Sequence, residues 1–100
     1  MLTKESLEHR LRGSYPRLAA KYGLRKMAFF GSYAHGTPGE ASDVDLLVEF
    51  ERPVGLRFME LADELEELLG CKVDLLTETG LRKMRSGTAA AEIMGTLEYV

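Results

Sequence analysis

Residues 29 to 50 read FFGSYAHGTPGEASDVDLLVEF, and this stretch limits the fold more than any other part of the chain. RKMAFF (25 to 30) is a short apolar and aromatic run ending at glycine, which predicts a buried strand. A glycine-rich segment of small polar residues follows. In DVDLLVEF, Val44, Leu46, Val48 and Phe50 then alternate with Asp43, Asp45, Leu47 and Glu49, the period of a half-buried strand. Asp43 and Asp45 therefore leave one face with Cα atoms roughly 6.5 Å apart, close enough to repel. Patterning alone gives no reason to place two carboxylates there, whereas a hard divalent cation such as Mg²⁺ takes carboxylate oxygens as ligands. The plainer reading is that both residues only solubilise the start of an exposed strand.

The flanking sequence supplies the other elements. From Thr3, a plausible N-cap, Leu7, Leu11, Leu18, Ala19 and Tyr22 recur at helical spacing, with Gly13 and Pro16 as interruptions and Gly23 as a stop; one or two helices are expected over 3 to 23. After Pro53 and Gly55, Phe58, Met59, Ala62, Leu65, Leu68 and Leu69 recur at three and four, with acidic residues between them, so an amphipathic helix should end at Gly70. CKVDLLT (71 to 77) is a third short strand, again with a carboxylate, Asp74, in its middle. If it pairs beside the Asp43/Asp45 strand, about 4.8 Å away, three carboxylates converge. Such an arrangement suits one or two metals of the kind that serve phosphoryl transfer. LRKMRS and AAAEIMG read as short helical turns, and TLEYV as a final extended piece or a docked tail.

Composition narrows the class. The chain has 100 residues, 45% of them hydrophobic, and is expected to form one domain over 1 to 100. A net charge of -3 argues against broad, charge-driven nucleic-acid binding. No window approaches the roughly 18 apolar residues of a membrane span, and the one cysteine, Cys71, cannot close an intrachain disulfide, so a cytoplasmic protein is expected. Known motifs are excluded residue by residue. Thr37-Pro38 stands where a P-loop needs Lys-Ser/Thr, Tyr33 where a dinucleotide fingerprint needs its second glycine, and Leu47 and Val48 where an EF-hand needs a ligand and a glycine.

GSYAHGTPGEASDVDLLV resembles the Gly-Ser…Gly…Ser-Asp-x-Asp-Leu signature of the DNA polymerase beta nucleotidyltransferase superfamily, specifically its minimal nucleotidyltransferases (MNT). The likeness extends over nearly the whole chain, with KVDLL where the family carries its third carboxylate. It implies an α/β (α+β) fold: a small mixed sheet of three or four strands with helices packed on one face. It also implies that Gly31 and Ser32 bind the triphosphate, that Asp43 and Asp45 bind Mg²⁺, and that Asp74 completes the metal site and helps activate an acceptor hydroxyl. Ser42 would brace the turn into the metal strand, within the nucleotide-binding set. His35 stands where many members have arginine; it makes either a weaker, pH-dependent phosphate contact or a packing contact in the hairpin.

The activity so implied is Mg²⁺-dependent transfer of a nucleoside monophosphate, AMP from ATP, to a hydroxyl on a partner protein. Larger superfamily members grip their acceptor with extra domains, so a docking partner is expected here, as in HEPN–MNT pairs where the MNT protein is antitoxin to a HEPN ribonuclease. Self-association is compatible with the sequence. Two rivals stay open: a non-catalytic module that neutralises a HEPN partner by complex formation, and an enzyme acting on a small hydroxylated molecule.

Overall fold

The computed structural model describes residues 2–35, 43–83, 93 and 95–100. Helix α1 (Lys4–Tyr22) begins where the Thr3 hydroxyl accepts from the Ser6 N–H, and stops at Gly23, whose φ of 72° lets its N–H return to the Ala19 carbonyl. Gly13 and Pro16 do not split it. Arg12 and Pro16 both lie on the exposed side, so the carbonyl that Pro16 cannot engage is turned towards water.

Strand β1 (Leu24–Phe30) leads into the short helix α2 (Ser32–His35), and β2 (Val44–Phe50) returns antiparallel to β1. Helix α3 (Arg57–Leu69) ends on Gly70 at φ 72° as the sequence indicates, and carries the chain over to β3 (Val73–Thr77), parallel to β2. A parallel neighbour requires such a crossover. Helix α4 (Glu78–Arg82) follows directly, capped by the Thr77 hydroxyl, and strand β4 (Glu98–Tyr99) pairs antiparallel with β1 at Ala28 and Phe29. The sheet order is β3-β2-β1-β4.

Alternation divides the sheet into two faces. Val44, Leu46 and Val48 of β2 sit opposite Val73 and Leu75 of β3 and Met27 and Phe29 of β1. This face meets Leu7, Leu11, Leu18 and Tyr22 of α1 and Leu61, Leu65 and Leu69 of α3 in the main core. Asp45, Leu47, Phe30, Asp74 and Leu76 take the other face. There Ala28, Leu47 and Leu81 are buried outside the main core, and α4 comes close to Leu76 at Gly80. Both long helices thus pack on one face as expected, and the short α4 adds cover beside the carboxylate face. No described helix is long and apolar enough to cross a membrane.

Helices α1 and α3 are tied at Glu64. Its carboxylate accepts from Lys21 Nζ at 2.9 Å and the Tyr22 hydroxyl at 2.8 Å and pairs with Arg17, while the Arg57 guanidinium lies 4.9 Å from the Tyr22 ring centroid. The Lys21 bond, followed by those of Arg17 and Tyr22, lowers the Glu64 pKa from 4.5 to about 2. A depressed carboxylate stabilises the fold above its unfolded value and loses that contribution as pH falls through the folded one. Glu64→Gln should cost about 1–2 kcal/mol at pH 7, after allowing for the exposure of its cationic partners, or roughly 5–10 °C in a domain of this size. The difference in melting midpoint should shrink between pH 4.5 and about 2. A pH-independent difference would rule out this electrostatic tie.

Candidate active site

The end of β1 and the start of β2 are brought together by their antiparallel register, which sets Phe30 opposite Asp45. The next residue, Gly31, has φ +74°, a conformation side chains resist, and a Cβ built there would run into the Asp45 carboxylate, with its Cγ 3.3 Å away. Glycine is required at this point by conformation and by space. Ser32 then opens α2, whose Tyr33 is buried in the main core and fixes the helix from beneath. Burial, and secondarily the neighbouring Cys71, raises the Tyr33 phenol.

On its other side Asp45 faces Asp74, because β2 and β3 pair in parallel with those two residues in register. Residues in register share a face, so the two carboxylates stand side by side. Asp43, immediately before β2 and two residues from Asp45, adds charge on the same side. Asp45 is half-buried, and its pKa is raised first by desolvation, then by the charges of Asp74 and Asp43 and by a hydrogen bond with Asp74. Asp43 and Asp74 are exposed. Cys71 lies near enough to Asp43 for that carboxylate, after burial itself, to raise its thiol.

This arrangement places a half-buried acid between a side-chain-free turn and a second acid, with a third acid beside them. Burial first, and the charges of Asp74 and Asp43 after it, disfavour the ionised Asp45, and a bound cation would offset both. Among the described residues, no group of three or more His, Cys, Asp or Glu side chains is gathered as a ready metal cage. The donor set still fits a hard divalent ion. Mg²⁺ usually takes one or two carboxylates and completes its shell with water and substrate phosphates rather than a full protein cage.

The family is shown by comparison. The model of the nucleotidyltransferase domain family matches residues 12–95. The chain belongs to that family, and the protein is a nucleotidyltransferase. It is 41% identical over 95 residues to protein adenylyltransferase MntA of Thermococcus cleftensis, covering 94% of this chain and 96% of that protein. Among solved structures, this nucleotidyltransferase superposes on one provisionally described as a minimal nucleotidyltransferase, with TM-score 0.74, 32% identity, and 95% of this chain and 93% of the other covered. It also superposes on a chain from a toxin–antitoxin crystal structure with AMP-PNP, with TM-score 0.66, 26% identity, and 87% and 69% coverage.

Of the residues singled out from the sequence, the fold of this nucleotidyltransferase brings together Gly31, Ser32, Asp43, Asp45 and Asp74. His35 ends α2, with its side chain outside the described residues, and Ser42 lies outside them altogether. Two neighbours of the site went unnoticed in the sequence. Lys4 donates to the Ala34 carbonyl of α2 at 3.2 Å and pairs with Glu98 of β4 at 2.8 Å. No local pattern signals a contact between residues so far apart in the chain.

Proposed function

We propose that the chain is a Mg²⁺-dependent nucleotidyltransferase that moves AMP from ATP onto a hydroxyl of a partner protein, as the antitoxin to a HEPN-type ribonuclease. The observation that carries this reading is the register of Asp45 against Asp74 beside Gly31. The protein acceptor is supported by the similarity to protein adenylyltransferase MntA, and the nucleotide and toxin partner by the toxin–antitoxin neighbour with AMP-PNP. The HEPN class of the partner follows from the sequence resemblance.

In this reading Asp43, Asp45 and Asp74 would hold Mg²⁺, which when bound offsets charge on the phosphates. Gly31, lacking a side chain, lets the turn close against the Asp45 carboxylate, and the backbone N–H groups of that turn and the Ser32 hydroxyl donate to phosphate oxygens. His35 and Ser42 belong to the same nucleotide-binding set. Asp74, more exposed than Asp45, takes the proton of the acceptor hydroxyl as its oxygen attacks the α-phosphorus. The bond from that phosphorus to the bridging oxygen breaks, and pyrophosphate leaves. Positioning and charge compensation do most of the work, as in phosphoryl transfer generally. Residues 1 to 100 act as one domain, and the partner brings its acceptor to the site by docking.

Calorimetric titration of ATP into the protein, with Mg²⁺ and with EDTA, tests the reading. Binding should require Mg²⁺ and disappear in Asp43→Asn/Asp45→Asn. Equal binding in EDTA, or none by the wild type, would defeat the catalytic reading and favour a module that neutralises its partner by contact alone.

A further inference from the structure

The turn at Gly31 and Ser32 is held from three directions. Strand β1 leads into it, Tyr33 anchors α2 in the core, and the far end of α2 is held by Lys4, whose Nζ lies 3.2 Å from the Ala34 carbonyl. Carbonyls at a helix end have no partner within the helix, and a lysine donor is a favourable substitute. Lys4 is itself held. Its Nζ lies 2.8 Å from Glu98 Oε2, and Glu98 is fixed by β4, which pairs with β1 through Phe29 opposite Glu98 and Ala28 opposite Tyr99. The Val100 N–H extends this attachment by donating to the Met27 carbonyl at 3.0 Å. The hydrogen bond with Glu98, aided by the charges of Glu8 and Glu5, raises the Lys4 ammonium.

We propose that Lys4 is a positioning residue for nucleotide binding: braced by Glu98, it fixes the Ala34 end of α2 and so keeps Gly31 and Ser32 seated against Asp45. This inference rests on the reading of the site given above. The physical argument is one of leverage in a short element. Four residues of helix carry too few internal hydrogen bonds to define their own orientation, so the contacts at the two ends decide where the Gly31–Ser32 turn lies. One end is set by β1 and Gly31, where there is no spare room beside the Asp45 carboxylate. The other is set by Lys4. Small displacements at such a turn are costly to ligand geometry even when the fold persists.

The test is calorimetric titration of Mg·ATP into wild type, Lys4→Met, Lys4→Arg and Glu98→Gln, with the thermal midpoint of each recorded alongside. Lys4→Met should bind Mg·ATP about tenfold more weakly, because the Ala34 end of α2, released in the free protein, must then be ordered when the nucleotide binds. Glu98→Gln should show a smaller loss in the same direction. The melting midpoints should stay close to wild type, because Lys4 and Glu98 are both partly exposed and their pairing adds little to global stability. Lys4→Arg, which keeps a cationic donor, should restore most of the affinity. Wild-type affinity in Lys4→Met overturns the inference while leaving the nucleotidyltransferase reading intact. A loss of affinity that tracks a fall in melting midpoint, or that Lys4→Arg does not relieve, overturns it by making the role merely structural. Failure of the wild type to bind Mg·ATP overturns the inference together with the reading on which it rests.

Discussion

Asp45→Asn is expected to lower nucleotidyl transfer by roughly 10²–10³-fold or more, the scale seen when a preorganised charge-stabilising group is removed from an active site. The same change should not weaken the fold. In the absence of metal the Asp45 carboxylate is half-buried and pressed by Asp74 and Asp43, and these causes together raise its pKa. A raised carboxylate favours the folded state below its unfolded pKa, and that contribution disappears as pH rises through the folded value. Near neutral pH in EDTA the ionised Asp45 therefore opposes folding, and the neutral amide removes that penalty. The variant should melt at or slightly above the wild-type midpoint under those conditions, an exchange of stability for function typical of catalytic positions. Transfer of label from α-labelled ATP to the co-purified partner, measured beside a melting curve, checks both halves. Full transfer by Asp45→Asn would remove Asp45 from the chemistry. A large fall in its midpoint would show that the carboxylate supports the fold instead of straining it.

Gly31→Val should be the most damaging single change in the turn. Its φ of +74° is one that a β-branched side chain strongly resists, and its Cβ would collide with the Asp45 carboxylate. We expect a loss of about 1–2 kcal/mol from the backbone alone, with a further loss from displacing Asp45, and with it the loss of Mg·ATP binding. Gly70 provides the control. It has φ +72° but nothing within 4 Å of a built Cβ, so Gly70→Val bears the backbone strain without the collision. Melting curves and Mg·ATP titrations of the two variants separate the effects. Equal losses of stability together with intact nucleotide binding in both would show that Gly31 serves only the turn.

The elements of this protein are local events, and most were legible in the residues. Thr3 and Gly23 bound α1, Gly70 ends α3, and the period of two from Val44 to Phe50 marks a strand with one apolar face. The continuity of α1 through Gly13 and Pro16 was less legible, because a proline breaks or spares a helix according to which side faces water, and that side is set by packing. The site divides in the same way. That Asp43 and Asp45 share a face follows from strand geometry, and Gly31 and Ser32 are recognisable from the family signature. Sequence by itself determined where most elements begin and end and which face of each strand a residue takes, because backbone period and capping act over a few neighbouring residues. Only the tertiary structure decided that β3 lies parallel to β2 with Asp74 in register with Asp45, that Gly31 closes against the same carboxylate, and that Lys4 and Glu98 meet at α2. Strand order and register arise from contacts between distant segments burying a common core, and alternation along one strand contains no information about which strand will become its neighbour.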